Sequence, residues 1–198
     1  MVVFFCVGML LGNQAVAQSR LKHASKAPNI TTKDVLGQRV NLQTILKSNR
    51  KVLITFLRPI WCPICNYQTH ELIKRYADYQ KEGIDVIAIY PSSQEAMADY
   101  VKDKNIPFTV IADPDELLYK KYGTERSLQK YKAALEIQEI LDIRVKGKAL
   151  FQGKEYAKRV ETDATIINAD FIVGARRWVE IAYYGKHAGD HYNLDLVR

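Results

Sequence analysis

The chain has 198 residues, 47% of them apolar, and a formal net charge of +7. This is enough for one ordinary domain with a full core, and it excludes a disordered chain. The basic residues are interleaved with acids and form no stripe with stacking aromatics, which argues against nucleic-acid binding. Attraction to an anionic membrane surface or an acidic partner stays open.

Val2 to Leu11 is apolar, and Ala15-Val16-Ala17 before Gln18 is a small-residue cleavage pattern. Residues 1–17 are expected to be an export signal, cleaved or kept as an anchor. No Lys or Arg precedes the apolar run, and Gly8, Gly12, Asn13 and Gln14 interrupt it too early for a spanning helix. Export implies a periplasmic or secreted protein in a compartment where disulfides persist. Cys6 lies in this segment, so Cys62 and Cys65 would be the only cysteines of the mature chain. Residues 18–29, polar and basic with Pro28, read as a linker ahead of one domain over 30–198.

Two half-apolar runs around Gly37, between Thr32 and Leu46, predict a β-hairpin. Lys51 to Leu57 is a buried central strand by its near-continuous apolar content. A helix from Pro63 to Glu82 stops at Gly83. Ile84 to Tyr90 is the next strand. Ser92 with Glu95 has the spacing of a capping box for a helix to Lys104. Pro107 to Ala112 is a short strand. Asp113 then caps a helix with Pro114 in its first turn, ending at Gly123. Leu128, Tyr131, Leu135, Ile137 and Leu141 predict a helix within an insertion near 125–160, followed by turns at Gly147 and Gly153. Strands resume at Ala164 to Asn168 and near Arg177 to Tyr184, and residues 185–191 are a loop. The expected architecture is α/β: a mixed central sheet flanked by helices in three layers, with an N-terminal hairpin.

Trp61-Cys62-Pro63-Ile64-Cys65 sits where the central strand hands over to its helix. A cysteine pair at that junction points to redox work. With Pro63 as first helical residue, Cys62 becomes the N-cap, facing the amides of Ile64 and Cys65 and the positive helix end. That lowers its pKa by up to about one unit, and Arg58 can add to the effect. Cys65, one turn in, can attack a mixed disulfide at Cys62, and Trp61 shields one side. Two thiolates with His187 or His191 would make at most an incomplete metal site. The catalytic pair is therefore Cys62 and Cys65, supported by Arg58, Trp61 and Pro63, with no metal. His187 and His191 are weaker acid/base candidates, and Tyr183, Tyr184, Arg176 and Arg177 read as packing or surface residues.

Phe56 to Cys65, Ile106 to Asp115, Leu118 to Gly123, the hairpin Asp34 to Leu42 and the tail Tyr184 to Asp190 resemble the peroxiredoxin-like branch of the alkyl hydroperoxide reductase/thiol-specific antioxidant (AhpC/TSA) proteins. The resemblance implies a thioredoxin-like fold and an antioxidant enzyme that reduces peroxides, or alternatively protein disulfides. It implies no bound cofactor, with electrons drawn from a dithiol protein. The motif departs from true peroxiredoxins. Arg58 falls on their Pro, Cys62 on their Thr or Ser hydroxyl, and Cys65 on their attacking cysteine. Thr162 and Asp163, with Arg159 upstream, occupy the stretch of their activating Arg. The thioredoxin comparison instead makes Cys62 the nucleophile, but Val160 to Thr165 lacks the cis-Pro expected there. A copper-binding module on the same fold is a further alternative, and its usual cysteine spacing of three differs from the two found here.

Overall fold

The computed structural model describes residues 20–48, 50–157, 164–193 and 195. The expected export signal, Cys6, Arg159, Thr162 and Asp163 lie outside the described residues. No helix among the described residues is long and apolar enough to cross a membrane.

The hairpin forms from β1 (Thr31–Lys33) and β2 (Arg39–Asn41), paired antiparallel. Its turn is set by Asp34, whose Oδ1 accepts from the Leu36 and Gln38 amides at 2.9 and 2.8 Å. The expected second arm stops at Asn41. That side chain accepts from the Thr44 amide and starts a short helix instead, α1 (Leu42–Ile45).

The main sheet holds β3 (Lys51–Phe56), β4 (Ile84–Tyr90), β5 (Thr109–Ala112), β6 (Ala169–Val173) and β7 (Val179–Tyr184), in the order β5-β4-β3-β6-β7. β3, β4 and β5 run parallel, and β6 and β7 close the sheet antiparallel. The helices are α2 (Pro63–Lys81), α3 (Gln94–Lys104), α4 (Leu117–Tyr122), α5 (Leu128–Ala134) and α6 (Gln138–Ala149). Period-two alternation sorts the sheet into two cores. Leu53, Val86, Ala88 and Ile172 face one cluster with residues of α2, α3, α5 and α6. Ile54, Phe56, Ile87, Ile89 and Phe171 face the other, with Tyr119 and Tyr122 of α4.

Four expectations are corrected. The cap of α3 is Ser93, not Ser92; Ser92 Oγ accepts from the Ile60 amide at 3.0 Å and braces the loop before Cys62. Asp113 does cap α4, accepting from the Leu117 and Leu118 amides at 3.0 and 2.8 Å. Pro114 to Glu116 nevertheless form a turn rather than the first helical residues, because Glu116 is left-handed, with φ 54°. Ala164 to Asn168 does not join the sheet. It pairs with residues 125–127 instead, through Ser127 N to Thr165 O at 2.7 Å and Ile167 N to Glu125 O at 3.0 Å. The segment after Gly123 holds two helices, broken between Ala134 and Gln138, and Gly147 lies inside the second rather than in a turn.

Gly147 is there because α6 crosses the first turn of α2 in backbone contact. A Cβ at this position would lie 1.9 Å from the Pro63 carbonyl oxygen and 3.2 Å from Tyr67 Cβ. Asn66 Nδ2 donates to the Gly147 carbonyl at 2.8 Å, and Asn66 Oδ1 accepts from Tyr100 Oη at 2.6 Å. Gly147→Ala must push the helices apart. It should cost about 1–3 kcal/mol or more, because backbone cannot repack. A urea melt of the variant against the parent reads this directly.

Candidate functional site

β3 ends at Phe56 on the central strand of the sheet, and the chain leaves it through Leu57, Arg58 and Pro59. Tyr119 Oη donates to the Leu57 carbonyl, and the Leu57 amide donates to Ile89 O at 2.9 Å, so the exit is fixed by both neighbours. A tight turn, Cys62 N to Pro59 O at 2.8 Å, delivers Cys62 in extended conformation as N-cap of α2, with Pro63 at the first helical position. Cys65 follows one turn later. Both are free thiols, 2% and 0% exposed.

Arg58 is 1% exposed, a fully buried cation. Its Nη1 donates to Cys62 Sγ at 3.3 Å and its Nη2 to the Ala164 carbonyl at 2.7 Å. The guanidinium lies over the Tyr131 ring, 5.0 Å from the centroid. Nε has no acceptor among the described residues. Cys65 Sγ accepts from the Arg58 amide at 3.2 Å, with Asn168 Nδ2 3.9 Å away. Asn168 Oδ1 in turn accepts from the Gly189 amide at 2.8 Å and ties the tail to the site.

The two thiols titrate in opposite directions. Cys62 is lowered from an ordinary 9.0 to about 5. The hydrogen bond donated by the Cys65 thiol is the main cause. Burial opposes it, and the Arg58 charge adds to the lowering. The Cys65 and Ile64 amides contribute least, at a range where no capping bond to the sulfur forms. The helix end alone, which predicted a fall of up to about one unit, is thus the minor cause. Cys65 is pushed well above 9.0, first by burial and then by its hydrogen bond to Cys62 and the charge there.

A folded-state pKa of about 5 against 9.0 unfolded means the folded chain holds fewer protons between those values. Stability of the reduced protein should therefore rise with pH across that window. The gain is lost as pH falls through about 5. Urea midpoints of parent and Cys62→Ser proteins, measured from pH 5 to 8, should diverge with increasing pH.

Cys62 borders a cavity of about 610 Å³, bounded also by Arg58, Trp61, Tyr131 and the α6 side chains Arg144 and Lys148; Cys65 is not part of its wall. Arg58, Trp61, Pro63 and both cysteines thus come together. His187 and His191 border a separate cavity. His191 Nδ1 lies 3.0 Å from Asp170 Oδ2, holding the tail. Among the described residues no group of three His, Cys, Asp or Glu side chains is arranged to hold a metal ion. Tyr183 Oη donates to Asp190 at 2.8 Å and Tyr184 Oη to the Tyr122 carbonyl at 2.7 Å, which are packing roles. Arg176 is exposed, whereas Arg177 is half-buried and donates to the Ala27 carbonyl at 2.8 Å. Sequence reasoning missed Tyr131, Ala164 and Asn168, which carry no local motif.

The AhpC/TSA family model matches residues 24–177, a span that contains the hairpin, the cysteine pair and strands β3 to β6. Peroxiredoxin Q, a chloroplast protein of Oryza sativa subsp. japonica, is 26% identical over 117 residues, covering 59% of this chain and 53% of that protein. Among solved structures, peroxidoxin BcpB of Mycobacterium tuberculosis superposes with a TM-score of 0.62 at 13% identity, over 86% of this chain and 90% of that one. Thiol peroxidase of Chromobacterium violaceum gives 0.61 at 12% identity, over 90% and 85%. At such identities the superpositions show the shared thioredoxin-like fold. With the family match spanning most of its length, the chain belongs to the AhpC/TSA family and is a thiol-dependent oxidoreductase.

Proposed function

We propose that the chain is a thiol peroxidase that reduces hydroperoxides at Cys62 and resolves the product with Cys65. One observation carries this reading. Cys62 borders the cavity, ionised at neutral pH beside Arg58, while Cys65 lies sealed one turn deeper. The Cys62 thiolate attacks the terminal peroxide oxygen. An S–O bond forms, the O–O bond breaks, and the alkoxide leaves and takes a proton from solvent. Cys62 is left as a sulfenic acid. Cys65, giving up its proton, then attacks that sulfur; the S–O bond breaks, water departs, and a Cys62–Cys65 disulfide forms. A separate dithiol protein returns two electrons by exchange. No bound cofactor enters this cycle. The Arg58 Nε–H, which has no acceptor among the described residues, is available to a peroxide or departing oxygen.

Disulfide exchange is the second reading. The two-residue spacing favours it, as does the absence of a Thr or Ser hydroxyl where Cys62 stands. The relatives named peroxiredoxin Q and thiol peroxidase support the first. Turnover of a hydroperoxide and of a protein disulfide, side by side with one dithiol donor, tests the choice. The hydroperoxide should be consumed at least about tenfold faster, as positioned donors at a developing oxyanion allow. The reverse ranking makes the protein a disulfide reductase.

A further inference from the structure

The cavity over Cys62 is far larger than hydrogen peroxide needs. About 610 Å³ is roughly twenty water volumes and falls in the size range of sites for small organic ligands. Trp61, Tyr131, Phe151 and Tyr156 give it an apolar, aromatic wall. Such walls suit an apolar body and contribute little to holding a small polar oxidant.

Charge on the wall is one-sided. Arg58, Arg144, Lys148 and Lys154 border the cavity, against Glu155 as the one acid among the described lining residues. Two of these cations are engaged: Arg58 with Cys62, and Lys154 in an ion pair with Asp103, which also accepts from Tyr156 Oη. The side chains of Arg144 and Lys148 have no acidic partner or hydrogen bond among the described residues. They stand four residues apart on α6, so they share a face and repel each other. A bound anion would relieve that repulsion. The close crossing at Gly147 fixes α6 against the first turn of α2, so the backbone from which these two exposed side chains reach is set relative to Cys62.

We infer that this cavity selects hydroperoxides whose apolar body ends in a carboxylate, with Arg144 and Lys148 binding that carboxylate while the peroxide reaches Cys62. The inference rests on the peroxidase reading for the hydroperoxide, but the preference for anions can be read at Cys62 itself. The chemical step is unchanged, and the product is the corresponding hydroxy acid.

The test uses two matched pairs on the reduced full-length protein. The first is alkylation of Cys62 by iodoacetate and by its neutral counterpart iodoacetamide. The second is turnover of a carboxylate-bearing aryl hydroperoxide and of its methyl ester. In each case the anionic-to-neutral rate ratio cancels any general change in Cys62 reactivity. Arg144→Ala with Lys148→Ala should lower both ratios about fivefold or more at low salt, and added salt should shrink the difference. Arg144→Lys with Lys148→Arg keeps the charges and should restore the ratios. Equal ratios in parent and double-alanine proteins overturn the inference, as does turnover of acid and ester alike. If the alkylation ratio shifts while neither hydroperoxide is consumed, the anion site stands and the peroxidase reading fails.

Discussion

Cys62→Ser is expected to abolish catalytic turnover, by at least about a thousandfold, because it removes the attacking sulfur itself. Cys65→Ser should behave differently. It should consume about one equivalent of hydroperoxide in a burst and then stop, with Cys62 held as a sulfenic acid. That species should be captured by a sulfenic-acid reagent or by the donor protein as a mixed disulfide. The asymmetry follows from position and charge. Cys62 borders the cavity with its thiol lowered to about 5. Cys65 is fully buried outside the cavity wall, with its thiol raised. The peroxiredoxin register of the sequence points the other way, with Cys65 on the attacking position. If Cys62→Ser gives the burst and Cys65→Ser is inert, the register is right and the roles exchange. In the Cys65→Ser protein the hydroxyl keeps the size of the side chain but donates differently to Cys62, so the Cys62 midpoint should also change. The burst should therefore be measured at a pH above both midpoints.

The cysteine pair was legible because its logic is local. A strand with five consecutive apolar or β-branched residues, two cysteines three positions apart and a proline between them specify a strand end, an N-cap and a first helical turn without further information. The same locality made Gly83 a reliable stop, since its φ of 75° is a conformation that most side chains resist. Gly147 misled for the complementary reason. A glycine in a charged stretch looks like a turn until the backbone that α6 must approach is known, and that backbone lies eighty-odd residues earlier, at Pro63. Ser92 and Ser93 could not be told apart by spacing alone. The choice was made by a tertiary demand, the buried Ile60 amide that only Ser92 meets. The groups that most alter the chemistry are likewise long-range. Ala164 reaches Arg58 across 106 positions and Asn168 reaches Cys65 across 103, by way of a stretch that left the sheet to pair with residues 125–127. The segment read as an insertion thus supplies much of one wall of the site.

Arg58→Met is the substitution that separates the two jobs assigned to this buried cation. Its removal should raise the Cys62 midpoint from about 5, by about one to two units, the usual effect of losing an adjacent opposite charge. The larger cause, the Cys65 hydrogen bond, remains, so a substantial thiolate fraction survives at pH 8. Alkylation by iodoacetamide at that pH should therefore be nearly normal. Hydroperoxide reduction should not recover with it. A methionine offers no N–H to the departing oxygen, and losing such a donor costs about a hundredfold in rate. Arg58→Lys tests geometry against charge. A single ammonium cannot bond to Cys62 Sγ and the Ala164 carbonyl as the planar fork does, so the midpoint should stay low while peroxide turnover falls. Loss of the Ala164 bond should also cost both variants about 1–3 kcal/mol of stability, as a buried carbonyl is left without its donor. A midpoint unchanged near 5 and an unchanged peroxide rate in Arg58→Met would reduce Arg58 to a strut between two loops.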